Sequence, residues 1–368
     1  MKPYRPEQVF VERAVENSPI TKNVLDALPG IPVRSVDSTD FLLEEAQQWN
    51  PTIPRSKQSL ILAHHKGRFF KPCPGRQAKE GLKGVCCNYF VINYASNCHM
   101  ECSYCYLQSY LNFPYMTIYA NEADLRKELQ AAFTQSPHSY FRIGTGELAD
   151  SLGLDPLTGY SIVLVEFFAR QSNAVLELKT KSNCVKNLLD LDHRGKTVVS
   201  WSMNPPYIQE KEEHKTASIS QRLAAAEECV RAGYPVGFHL DPLICYPGWE
   251  IGYRDLIEEI FQRIPANSIP WISVASLRMT SQLKQTMRRR FPNSSLPLGE
   301  LIPSPDGKMR YFKPLRVKMY HQVVKWIREK SPSTQVYACM EGPGVWKEVF
   351  QSVPEEADLG QELIQCLV

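Results

Sequence analysis

Apolar and polar positions follow two rhythms along this chain, and after residue 85 the two alternate in series. Asn88–Ala95 (NYFVINYA) is rich in aromatic and β-branched residues, which predicts a strand. Glu122–Phe133 (EADLRKELQAAF) then spaces its apolar residues as a helix does. Tyr140–Gly144, Val175–Lys179 and Thr197–Met203 predict further strands, with helices between them over Tyr160–Arg170 and Val185–Leu191. Ile219–Ala232 (ISQRLAAAEECVRA) is the clearest helical pattern, and Gly233 stands where a left-handed cap belongs. Val236–Leu243 and Ile272–Leu277 predict two more strands, around a helix over Asp255–Ile264.

Strand–helix units in such a series predict a parallel sheet with right-handed crossovers. An open doubly wound sheet and a curved barrel share this alternation. The barrel is favoured because chemistry-bearing residues stand just after several different strands, as they do where βα loops build one site. The flanks are less regular. Residues 1–85 carry a strand over Ser59–Ala63. Residues 292–368 carry a proline-rich bend, a strand at Met309–Phe312, a helix over Arg316–Arg328 and a strand at Val336–Cys339. We expect N- and C-terminal α/β extensions on one central unit of residues 86–291.

The chain has 368 residues, 43% hydrophobic and 22% charged, the composition of a globular protein. No run of eighteen apolar residues predicts a membrane span, and the N-terminus lacks the apolar core of a secretory signal, so a cytoplasmic location is expected. A net charge of +3 restricts any nucleic-acid contact to a local patch. The densest is Lys284, Arg288, Arg289 and Arg290, which also reads as a cationic helix end favoured by the macrodipole.

Eleven cysteines are many for a reducing compartment, and six fall between residues 73 and 105. Cys98, Cys102 and Cys105 form a C-x3-C-x2-C run directly after a predicted strand. Three close thiolates without a fourth suit a 4Fe-4S iron–sulfur cluster that keeps one iron open. A structural zinc site would need four ligands. Cys73, Cys86 and Cys87 have no assigned role, and a second cluster on them is a thin alternative to core or redox-active thiols.

The C-x3-C-x-aromatic-C run after the first strand resembles the radical S-adenosyl-L-methionine (SAM) superfamily. Over nearly the whole chain the resemblance is to the spore photoproduct lyase family. It is carried by PEQVFVER near the start, Lys71-Pro-Cys73-Pro-Gly75 and Cys98–Tyr110 (CHMECSYCYLQSY). It continues through Gly144–Leu152 (GTGELADSL), Ala232–Pro242 (AGYPVGFHLDP) and Asp306–Pro314 (DGKMRYFKP). The fold this implies is a partial (β/α)6 TIM-type barrel of the radical SAM kind. The chemistry it implies is one-electron cleavage of SAM to a 5′-deoxyadenosyl radical, with SAM's methionine on the open iron.

The same resemblance assigns roles. Gly144-Thr145-Gly146-Glu147 follows the second strand, where Glu147 would meet SAM's ammonium and glycine permits close approach. Lys181 would meet its carboxylate, Ser202 and Asn204 its ribose, and Tyr104 its adenine. Tyr106 matches a tyrosine used near the radical, and Tyr104 is a second catalytic candidate. His239 is a third, although a lone histidine on a strand is as readily a satisfied core group.

One departure stands out. The resembling lyases carry a hydrogen-donating cysteine shortly after strand two, yet no cysteine lies between Cys105 and Cys184. The donor is then Tyr104, Tyr106 or another cysteine (Cys73, Cys86, Cys87 or Cys245), or the reaction differs. The implied function is repair of a thymine photoproduct in DNA by an extruded-lesion mechanism, with phosphates held by residues 284–290, Lys308, Arg310 and Lys313. An electron donor such as flavodoxin or ferredoxin and a monomeric state are expected. The alternatives are a family member acting on RNA, protein or a small molecule, and a non-catalytic metal-containing nucleic-acid-binding module.

Overall fold

The computed structural model describes residues 2–42, 44, 53–75 and 84–367. Its centre is a curled eight-stranded sheet. The strands are β1 (Phe70–Pro72), β2 (Tyr89–Ile92), β3 (Phe141–Gly144), β4 (Ala174–Thr180), β5 (Thr197–Ser202), β6 (Val236–Leu243), β7 (Trp271–Ser276) and β8 (Gln335–Ala338). They lie side by side in chain order. All neighbours are parallel except β1 with β2. The six strands expected from the sequence are therefore joined by one edge strand from each extension.

Helices α1 (Glu122–Gln135), α2 (Tyr160–Phe168), α3 (Ile219–Arg231), α4 (Trp249–Arg263), α5 (Ser281–Arg290) and α6 (Lys313–Lys330) cross between successive strands. The α3 start carries a capping box of Ser218 and Gln221, and Gly233 follows its end at φ 89°. Parallel strands covered by helices read as nearly continuous apolar runs, as β7 does with every residue buried.

Two expectations need correction. Val185–Leu191 is not an α-helix; it closes only a 3-10 turn at Lys186–Leu188, with Leu188 and Leu191 bonding three residues back. So short a segment gains too few bonds to offset helix nucleation. The strand expected over Asn88–Ala95 is split, and Ala95–Ser96 leaves the barrel for a second sheet. That sheet contains Gln8–Glu12, Val33–Val36, Ser59–Ala63 and Met116–Tyr119, and it holds both ends of the cysteine loop. No helix among the described residues is long and apolar enough to cross a membrane.

Candidate active site

The cysteine loop leaves the second sheet at Asn97, whose φ of 73° turns the chain. Asn97 accepts the Cys98 N–H at 2.8 Å and donates to the Pro114 carbonyl at 2.5 Å, fastening both ends of the loop. Glu101–Cys102 then pairs antiparallel with Glu213–His214. Gln108 donates to the carbonyls of Cys102 and Ser103 at 3.1 and 2.8 Å. Sequence spacing shows the cysteines but not these braces.

Burial pushes the Cys98 thiol up to about 12 and the Cys102 thiol well above the usual range. The charge of Cys105 adds to the rise at Cys98 and Cys102, whereas Lys57 opposes it at Cys98 and Lys181 at Cys102. Bare thiols in such a place keep their protons; a bound metal would displace them. Among the described residues no three ligands converge on a single ion. A four-iron cube holds each thiolate at a different corner, so its sulfurs surround the cluster rather than meet. Three thiols on one short loop, in the field of Lys57 and Lys181, fit that group.

Beside the loop, Tyr104 donates to the Glu213 carboxylate, and Lys181 lies 5.9 Å over its ring. Glu213 also takes a 2.6 Å ion pair from Arg222 and a 2.9 Å bond from Asn204, with Lys181 at 3.8 Å. Burial would raise this carboxyl, but Arg222, Lys181 and the hydrogen bonds outweigh it and hold it at about 2. Asn204 is fully engaged, donating to Glu213 and Tyr104 and accepting from Tyr253 at 2.7 Å. The Ser202 hydroxyl keeps no partner among the described residues, while its carbonyl accepts from Arg222 at 2.8 Å. Glu213 and Arg222 carried no sequence signal, because ordinary helix-flanking charges look the same.

The glycine stretch after β3 faces this group. A Cβ on Gly144 would stand 1.7 Å from the Tyr89 hydroxyl, and one on Gly146 would stand 3.1 Å from Lys179 Cβ. Glycine is thus demanded by close packing within the protein. Thr145 donates to Ser151 at 2.8 Å. Asp150 then joins this loop to the end of β4, accepting from Thr180 at 2.6 Å and from the Lys181 N–H at 2.8 Å. Tyr106, 44% exposed, donates to the Glu147 carbonyl. The Glu147 carboxylate has no partner among the described residues; burial raises it and Lys71 opposes.

His239 is placed otherwise. Its ring nitrogens contact Glu177 at 2.8 Å and Ser273 at 2.6 Å, and it is 5% exposed. Glu177 also binds Arg142 at 2.9 Å, Ser200 at 2.7 Å and Trp271 at 3.1 Å. With both nitrogens engaged inside the barrel, His239 acts as a core group that holds three strands together.

Cys73 stands at the end of β1, its N–H bonded to the Tyr89 carbonyl at 2.9 Å. Burial pushes its thiol up to about 12, with the charges of Cys339, Cys86 and Glu147 adding to the rise. Tyr106 in turn responds to the charge of Cys73. Cys87 is buried, within reach of the charges of Arg142 and Cys339, and the Cys245 backbone N–H donates to the Tyr311 hydroxyl at 3.2 Å. All eleven cysteines are free.

The model of the spore photoproduct lyase family matches residues 81–329. The chain is 26% identical over 308 residues to the spore photoproduct lyase of Bacillus subtilis (strain 168), covering 81% of this chain and 86% of that protein. It is 27% identical over 305 residues to the lyase of a Geobacillus species, covering 82% and 86%. A solved spore photoproduct lyase complexed with dinucleoside spore photoproduct superposes with a TM-score of 0.78 at 25% identity, over 92% of this chain and 99% of that one. A doubly substituted lyase with bound AdoMet and dinucleoside spore photoproduct superposes with a TM-score of 0.77 at 25% identity, over the same shares.

Proposed function

This chain belongs to the spore photoproduct lyase family, and on that premise we propose that it repairs a thymine photoproduct in DNA as a radical SAM enzyme through the residues assembled above. The observation carrying this reading is that one place joins the three-cysteine loop, the unpartnered Glu147 carboxylate, Lys181 and Tyr106. When bound, the cluster and SAM supply one-electron cleavage to a 5′-deoxyadenosyl radical.

The chain's own residues then bind, orient and exclude water. Cys98, Cys102 and Cys105 would hold the cluster. Glu147 suits an ammonium and Lys181 a carboxylate, as charge-assisted partners. The Ser202 hydroxyl suits a ribose, whereas Asn204 and Glu213 fix Tyr104 beside them. Cys73 is the candidate hydrogen donor, because Glu147 and Tyr106 both lie within reach of its charge. Cys73 would stand in for the thiol that is missing after β3. A flavodoxin or ferredoxin would deliver the electron. The test is conversion of a synthetic photoproduct dinucleotide to thymines by the anaerobically reconstituted protein.

A further inference from the structure

We propose that the basic end of α5, which Arg290 fastens to the cysteine loop and which exposes Arg288 and Arg289, docks a small acidic one-electron carrier protein together with Lys215. The inference rests on the reading that a cluster sits on Cys98, Cys102 and Cys105. An electron must reach that cluster from outside, and transfer between proteins falls off steeply with distance. The carrier therefore has to dock against the loop itself.

The basic end of α5 is built onto this loop. It packs against the short helix Leu107–Tyr110 that follows Cys105. Arg290 donates both to Gln108 and to Glu101, and Gln108 bonds the Cys102 carbonyl at 3.1 Å. A single side chain thus separates the largely buried Arg290 guanidinium from the backbone of a cluster ligand, and the exposed Arg288 and Arg289 precede it in the same helix. Phe291 stacks on His214 at 5.6 Å, and His214 pairs with Glu101 across the small ribbon. The turn that follows presents Lys215, 64% exposed.

The charge of this face is not cancelled. Its acid, Glu101, is buried and shared among Arg290, Lys57 at 3.4 Å and Lys215 at 4.0 Å. Glu212 is also buried, turned inward onto Ser103 and Ser294. Among the described residues no carboxylate pairs with Lys284, Arg288 or Arg289; Arg288 donates only to the Pro297 carbonyl at 3.4 Å. A phosphate track would have to continue to Lys308, Arg310 and Lys313. Those three are each paired: Lys308 with Asp306 at 3.9 Å, Arg310 with Asp306 and Glu341, and Lys313 with Glu348 at 2.6 Å. Isolated positive charge beside the loop suits an acidic protein better than a nucleic-acid backbone.

The test uses the reconstituted holoenzyme with a flavodoxin and a plant-type ferredoxin as probes. Binding affinity and the rate of cluster reduction are measured for wild type, Arg288→Glu/Arg289→Glu and Arg288→Lys/Arg289→Lys. We expect at least one carrier to bind wild type more weakly as salt rises. The charge reversal should lower affinity and reduction rate by about tenfold or more, and the lysine pair should retain both. Cluster absorption and reduction by dithionite should stay unchanged. Unchanged carrier binding after charge reversal, or no carrier binding to wild type, would overturn the proposal. So would loss of DNA affinity alone, which would assign the face to nucleic acid. Failure of wild type to take up iron and sulfide would instead remove the premise.

Discussion

Tyr106 gives its hydroxyl hydrogen bond to the backbone carbonyl of Glu147. The residue after the last loop cysteine is thereby joined to the residue whose carboxylate stands unpartnered after β3. Two segments 41 positions apart in sequence become one wall of a site. Both residues belong to the proposed site, so the contact can be probed from either side.

Glu147→Gln should weaken SAM binding by about tenfold or more, since a hydrogen bond to a charged group contributes roughly 1.5–3 kcal/mol. Iron content and cluster absorption should not change, because Glu147 lies outside the cysteine loop. Isothermal titration of SAM into the reconstituted variant measures the first, and iron analysis the second.

Cys73→Ala should separate cleavage from repair. 5′-Deoxyadenosine should still form, while thymine yield falls by about tenfold or more, a loss of over 1.4 kcal/mol in the final transfer. Cys245→Ala, whose neighbourhood is Tyr311, Glu250 and Lys318, should match wild type. Equal loss in both variants would remove Cys73 from the donor's place.

The His239 imidazole is held at about 4, below its ordinary 6.5, by burial and then by Lys179 and Arg142, with Glu177 opposing. Asp241 also lies within reach of its charge. Between pH 6.5 and 4 the unfolded chain binds the extra proton, so stability rises with pH across that window and is lost as pH falls through it. His239→Gln should be less stable at pH 7 yet show a shallower loss on acidification. Part of the slope should remain, because His99 is lowered to about 4 as well. Denaturant midpoints of the apoprotein at several pH values measure this.

Gly144→Ala should cost about 1–3 kcal/mol, because its Cβ meets the rigid Tyr89 ring in a packed barrel. Gly299→Ala, whose nearest neighbour is a carbonyl at 3.6 Å, should stay within about 0.5 kcal/mol of wild type. Thermal melts of the two variants compare them directly.

Much of this was legible beforehand where a residue's role depends on local spacing. The Cys98–Cys105 run and the capped helix ending at Gly233 are examples, since near neighbours in the chain define them. The Glu213–Arg222–Tyr104 group and the Arg142–Glu177–His239 network were not legible. Their members lie on different strands, loops and a helix, and only the pairing of β4 with β5 brings the Ser200 hydroxyl within reach of Glu177. Tertiary pairing likewise decides the edge strands β1 and β8, which carry too few residues to announce their sheet. The basic run at 288–290 was visible, but its direction was not, because Arg290's partner Glu101 lies 189 positions away.

The most direct measurement is repair of a synthetic thymine photoproduct dinucleotide by the anaerobically reconstituted, reduced protein with SAM, followed by chromatography of 5′-deoxyadenosine and thymines. The account predicts both products in wild type and neither in Cys102→Ala. 5′-Deoxyadenosine without thymine from the wild-type protein would contradict it.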